Sequence, residues 1–162
     1  MRQYRTNSPQ AKARIVAIAL LADGGLDKAE LDVLDQSEIV TRIGITHEQF
    51  DTVIHQFCDD LLQYSVRDEN GELQLGRETI DAMLDEITEP AAQRTLLRMM
   101  IEIVHADHRL SGGEAVLTSQ AMNHWDIDLH ELAMVSSRAK NGSAGMLDRR
   151  IDRGFAAAML QA

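Results

Sequence analysis

The sequence predicts an all-α fold: a single multihelical domain built on two central antiparallel apolar helices, with a duplicated helical motif. Three observations carry this. Ala, Leu, Met, Glu and Gln are common while aromatics make up 4% of the chain, so intrinsic preference runs to helix. Apolar residues recur at helical spacing, most clearly through Phe50, Val53, Ile54, Phe57, Leu61 and Leu62. A short pattern also occurs twice: Ala22-Asp23-Gly24-Gly25-Leu26-Asp27-Lys28-Ala29-Glu30 is echoed by Ala106-Asp107-His108-Arg109-Leu110-Ser111-Gly112-Gly113-Glu114, at a constant offset of 84 residues. With 162 residues, 44% of them hydrophobic, the chain can bury one good core.

Ser8-Pro9 opens the first helix as N-cap and first helical proline, and Asp23-Gly24-Gly25 stops it near Ala22. Ile15, Val16, Ile18, Ala19, Leu20 and Leu21 cover most of its surface, which makes it central. Asp27 caps a second helix, with Glu30 in the capping-box position; Leu31, Leu34, Ile39 and Ile43 mark its buried side and Gly44 ends it. Thr46 and Gln49 form the next box and start the third helix, the clear Phe50-to-Leu62 stripe. Between Ser65 and Gly76 the periodicity fails, and Asn70-Gly71 signals a turn, so a loop is expected, with a small hairpin as the alternative. A fourth helix is expected from Arg77 to Thr88, and a fifth, as apolar as the first, from Pro90 to Ala106. Ser111 with Glu114 repeats the capping box for a sixth helix reaching about His124, and Asp128 with Glu131 caps a seventh. Lys140-Asn141-Gly142-Ser143 reads as a linker before a last helix from Ala144 to Leu160.

The repeat extends beyond its first nine residues. Ile43-Gly44-Ile45-Thr46-x-x-Gln49-Phe50 matches Trp125-Asp126-Ile127-Asp128-x-x-Glu131-Leu132, now at an offset of 82. The expected domain therefore spans 1–142, with copies at about 9–64 and 90–140, and residues 143–162 add an amphipathic helix packing on the same domain. One copy cannot bury both faces of its apolar helix, whereas two copies can pack those helices together.

The formal net charge of −10 argues against nucleic acid as a partner, because phosphate binding needs a concentrated basic face. Basic residues gather at the start (Arg2, Arg5, Lys12, Arg14) and near the end (Arg138, Lys140, Arg149, Arg150, Arg153), where solvated helix faces explain them. Cys58 is the single cysteine, which rules out an intramolecular disulfide and fits a reducing compartment. No signal-peptide stretch opens the sequence and no run is long enough to span a bilayer, so a cytoplasmic protein with a protein partner is expected.

The chemistry concentrates in the repeated corner. Asp23, Asp27 and Glu30 bring hard oxygen donors together over a short chain length, the ligands that calcium and magnesium choose ahead of a transition metal. Asp107 and Glu114 are their counterparts in the second copy, where Arg109 would repel a cation. The same residues are equally explained as caps, since each box satisfies orphan backbone amides. Cys58, between Ile54 and Leu61, reads as core, and His105 as a buried histidine instead of a zinc ligand. No phosphate loop or nucleophile elbow is present, so the expectation is a protein without enzymatic activity, a metal-dependent hydrolase being the minor alternative.

The two A-D-x-x-L-x-x-x-E units, each following an apolar helix, resemble the TerB-like (tellurite-resistance) domain, which also occurs at the start of membrane-anchored DnaJ-type co-chaperones. The resemblance covers roughly Ala11 to Leu132. It implies an all-helical fold on two central helices, and divalent-metal binding by acidic residues at their ends. By position these are Asp23 and Glu30, then Asp107 and Glu114, with His108-Arg109 departing from the family's glycine-bearing loop. Cys58 alone cannot run a dithiol reduction, so the resemblance implies an interaction module and not tellurite reduction.

Overall fold

The computed structural model describes residues 1–22, 38–67, 73–105 and 112–128 of the chain. They fall within one compact all-α unit, Met1–Asp128. The Asp23-to-Glu30 corner, the helix expected after Asp128 and the one expected from Ala144 lie outside the described residues.

Helix α1 (Pro9–Leu20) starts as its sequence dictates: Pro9 holds a first-turn position and Ser8 Oγ accepts the Ala11 amide at 3.2 Å. Every residue from Ala13 to Leu20 is buried. A helix hidden all round must be central. It packs against α3 (His47–Tyr64), α4 (Arg77–Leu84) and α5 (Pro90–Val104). Helix α5 buries Leu96, Leu97, Met99, Met100, Ile103 and Val104, and lies against α1 on one side and α6 (Gly112–Trp125) on another. The two helices read from the sequence as central thus pack together as expected.

The helix expected to end at Ile43 does not pass through Glu38 as one continuous run. Helix α2 covers only Ile39–Arg42, and its N-cap Glu38 has φ +50°, a left-handed conformation that no continuous α-helix contains.

The ends of α2 and α6 share one geometry at positions the repeat aligns. After α2, the Gly44 amide bonds to the Thr41 carbonyl (3.0 Å) and the Ile45 amide to the Val40 carbonyl (3.3 Å). After α6, the Asp126 amide bonds to Asn123 (3.4 Å) and the Ile127 amide to Met122 (3.0 Å). Both are Schellman motifs, with Gly44 at φ +79° and Asp126 at φ +52° as their left-handed residues. Ile45 and Ile127 are buried beneath them. A Cβ on Gly44 would meet nothing within 4 Å, so any penalty there is conformational. Gly44→Ala is expected to destabilise by about 1 kcal/mol and Asp126→Gly to stabilise by some tenths, both read from urea unfolding. Equal stability of Gly44→Ala and wild type would remove this account.

Helix α3 carries the capping box predicted for it: Thr46 Oγ1 accepts from the Gln49 amide at 3.2 Å and Gln49 Oε1 accepts from the Thr46 amide at 3.1 Å. Its buried side is narrower than the sequence stripe. Phe50, Val53, Phe57 and Asp60 are buried; Ile54, Leu61 and Cys58 are only half-buried and Leu62 is exposed. After α3, β1 (Val66–Arg67) pairs antiparallel with β2 (Leu73–Gln74) in the register Val66↔Gln74 and Arg67↔Leu73, so the stretch expected as a loop has a hairpin stem.

Helix α4 stops at Leu84, short of the expected Thr88. The Ile87 amide turns back to the Leu84 carbonyl at 3.0 Å, while Asn7 Oδ1 accepts the Thr88 and Glu89 amides at 2.9 and 3.2 Å. The N-terminal segment takes the hydrogen bonds that a longer helix would have made. No helix among the described residues is long and apolar enough to cross a membrane.

Candidate functional site

Of the five carboxylates singled out by the sequence, the described residues include one. Asp23, Asp27, Glu30 and Asp107 lie outside them; Glu114 lies within. Glu114 is the third residue of α6 and only 4% exposed. Its setting is electrostatically coherent, because first-turn amides and the helix dipole both favour a carboxylate there. His105, half-buried, caps the C-terminus of α5, the other side of the same connection. Among the described residues no group of three or more His, Cys, Asp or Glu side chains is arranged to hold a metal ion.

A second polar assembly was not foreseen. The first seven residues cross α3 and the end of α4, pinned at successive points. The Arg2 amide donates to Asp60 Oδ2 (2.9 Å), and its guanidinium lies 3.4 Å from Asp60 Oδ1. The Tyr4 amide donates to Glu86 Oε1 (3.0 Å) and the Tyr4 hydroxyl to Gln56 Oε1 (2.8 Å). The Asn7 amide donates to the Glu86 carbonyl at 2.8 Å, with Asn7 itself in the left-handed region that asparagine tolerates.

Arg14 sits at the middle of this assembly. Its side chain is 2% exposed, its Nη2 lies 2.5 Å from Glu86 Oε2, and its Nη1 donates to the Arg2 carbonyl. The guanidinium also stacks over the Tyr4 ring, 4.9 Å from its centroid. Burial pushes the Tyr4 phenol above its ordinary value, against the pull of Arg14 and Arg2. A cleft of about 460 Å³ opens beside these groups, lined among others by Arg2, Tyr4, Tyr64, Glu78 and Glu86. Both Glu86 oxygens and two of the three Arg14 nitrogens are already engaged, so this assembly clamps the N-terminal segment instead of offering free groups for chemistry. Arg14, expected on a solvated face, is buried because α1 has no solvated face at that height. The available signal was its isolation between Ala13 and Ile15 in an otherwise apolar run.

The third assembly joins α4 to α6. His124 Nε2 lies 2.9 Å from Asp85 Oδ1 and Nδ1 lies 3.3 Å from Asp81 Oδ1, while Gln120 Nε2 donates to Asp81 Oδ1 and to the Arg77 carbonyl, each at 2.8 Å. The Trp125 indole donates to the Leu84 carbonyl at 3.2 Å. A cation would need these donors around one point. Instead the carboxylates occupy opposite ring nitrogens, an arrangement that clasps two helices. His55, Cys58 and Asp59 follow one another along α3, but burial, reinforced by Asp59, pushes the Cys58 thiol up, away from the reactive thiolate.

Comparisons with protein-family models, with curated proteins and with solved structures give no match for this chain.

Proposed function

We propose that this chain is a non-enzymatic, TerB-like interaction module of the cytoplasm that binds a divalent cation, calcium or magnesium, through Asp23, Asp27 and Glu30, with Asp107 and Glu114 as the weaker half. The observation that carries the reading is Glu114: a carboxylate almost withdrawn from water, at the start of the helix that follows the apolar α5. Burying a carboxylate is expensive unless amides or a cation compensate it. The doubled motif places a second acidic set at the equivalent end of α1.

A second reading is a structural adaptor whose carboxylates only cap helices. The complete Thr46–Gln49 box favours it, since in this chain the same sequence device serves capping alone. Thermal melting separates the two. Under the metal reading, magnesium or calcium at a hundredfold excess over Kd adds about 2.7 kcal/mol and raises Tm by roughly 5–10 °C. Asp23→Asn abolishes that rise. Under the adaptor reading EDTA and added ions change nothing, and Glu30→Gln costs about 1 kcal/mol with no effect on any ion response.

A further inference from the structure

Helix α3 has two apolar stripes. The first, Phe50, Val53 and Phe57, is buried, on a helix that packs against α1. The second, Ile54, Cys58, Leu61 and Leu62, follows the i, i+4, i+7, i+8 spacing of a helix-pairing face. At 100° per residue it lies roughly 100° around the helix from the first. Three of its members are half-buried and Leu62 is 69% exposed, so the core does not consume this face. Glu48, Asp51 and Asp59, all exposed, run along its solvent side, the last only 4.0 Å from the Arg2 guanidinium.

We propose that this second stripe of α3 is a docking surface for a basic amphipathic helix of a protein partner. The inference rests on the interaction-module part of the functional reading and deepens it. Charge complementarity selects the occupant. A second copy of this chain would set Glu48, Asp51 and Asp59 against their own like charges across a self-complementary contact. An anionic membrane surface or a nucleic acid is repelled by the same row and by the chain's net charge of −10. A helix with leucines on one face and lysines beside them meets both features: its apolar side covers Leu62 and Leu61, and its ammonium groups reach the acidic row. Apolar contact supplies the affinity and the carboxylates select the sign of the partner.

The test is fluorescence anisotropy of the full chain with three labelled probes of equal length: a leucine/lysine amphipathic peptide, the same composition scrambled to remove its apolar face, and a leucine/glutamate counterpart. Saturable binding of the first is expected, with the other two weaker by about tenfold or more. Leu62→Ser weakens the basic peptide by about tenfold. Asp51→Lys weakens it too and improves the glutamate peptide, whereas Val116→Ser, at an exposed apolar residue of α6, changes nothing. Both α3 positions are exposed, so the variants keep the wild-type melting temperature, and circular dichroism checks it. Equal binding of the scrambled peptide, an unaffected Leu62→Ser, or dimerisation of the chain that Leu62→Ser abolishes would each overturn the proposal. The metal half of the functional reading is scored by its own melting shift, so a chain that responds to ions and ignores the peptide loses this surface alone.

Discussion

Glu86→Ala is expected to lower the unfolding free energy by about 3–5 kcal/mol, the loss typical when one partner of a buried ion pair is removed. The substitution leaves the Arg14 guanidinium, 2% exposed and in the middle of α1, without the carboxylate that balances it. It also frees the Tyr4 amide, which donates to the same side chain. Arg14→Ala is expected to cost a similar amount, compounded by lost packing over the Tyr4 ring. Because each single change strands a partner, the double variant Arg14→Met/Glu86→Leu should recover a large part of the loss. Urea unfolding of the four proteins measures this directly. A double variant no more stable than the weaker single variant would mean that the pair is not a coupled unit, and the clamp on the N-terminal segment would have to be credited to Asn7 and Asp60 instead.

The second large effect separates two residues that the sequence treats alike. Phe57 and Leu62 both belong to the apolar pattern of α3, yet Phe57 is 1% exposed and Leu62 69% exposed. Phe57→Ala is expected to cost about 3–5 kcal/mol, through lost apolar burial and the cavity left in the core. Leu62→Ala should stay within about 0.5 kcal/mol, as surface substitutions do. Chemical denaturation of the two variants gives the comparison. A Leu62→Ala loss matching that of Phe57→Ala would show that the outer stripe is part of the core, and the docking surface would go with it.

The contrast explains what could be read in advance. Helix caps are local: Ser8 with its proline, and Thr46 with Gln49, act within three residues of themselves, and both behave as the sequence requires. The all-round burial of α1 was legible because a run such as Ile15 to Leu20 has no polar side to turn to water. The end of α4 was not legible, because it is set by Asn7, a residue far earlier in the chain. Nor was the left-handed backbone of Glu38, since Glu has no chemical mark for that conformation. Of the predicted carboxylate site only Glu114 is placed among the described residues, buried in the first turn of α6.

By itself, then, the sequence determined the helical class, the apolar character of α1 and α5, and the starts of α1 and α3 written in their caps. These depend on interactions spanning a turn or two. Only the tertiary structure decided that Arg14 is a buried cation paired with Glu86, that His124 clasps Asp81 and Asp85, and that α3 buries one of its two stripes and leaves the other outward. The physical reason is common to all three. Periodicity states how much apolar surface a helix carries, but which part is covered, and which distant charge is brought beside another, follows from how the helices pack.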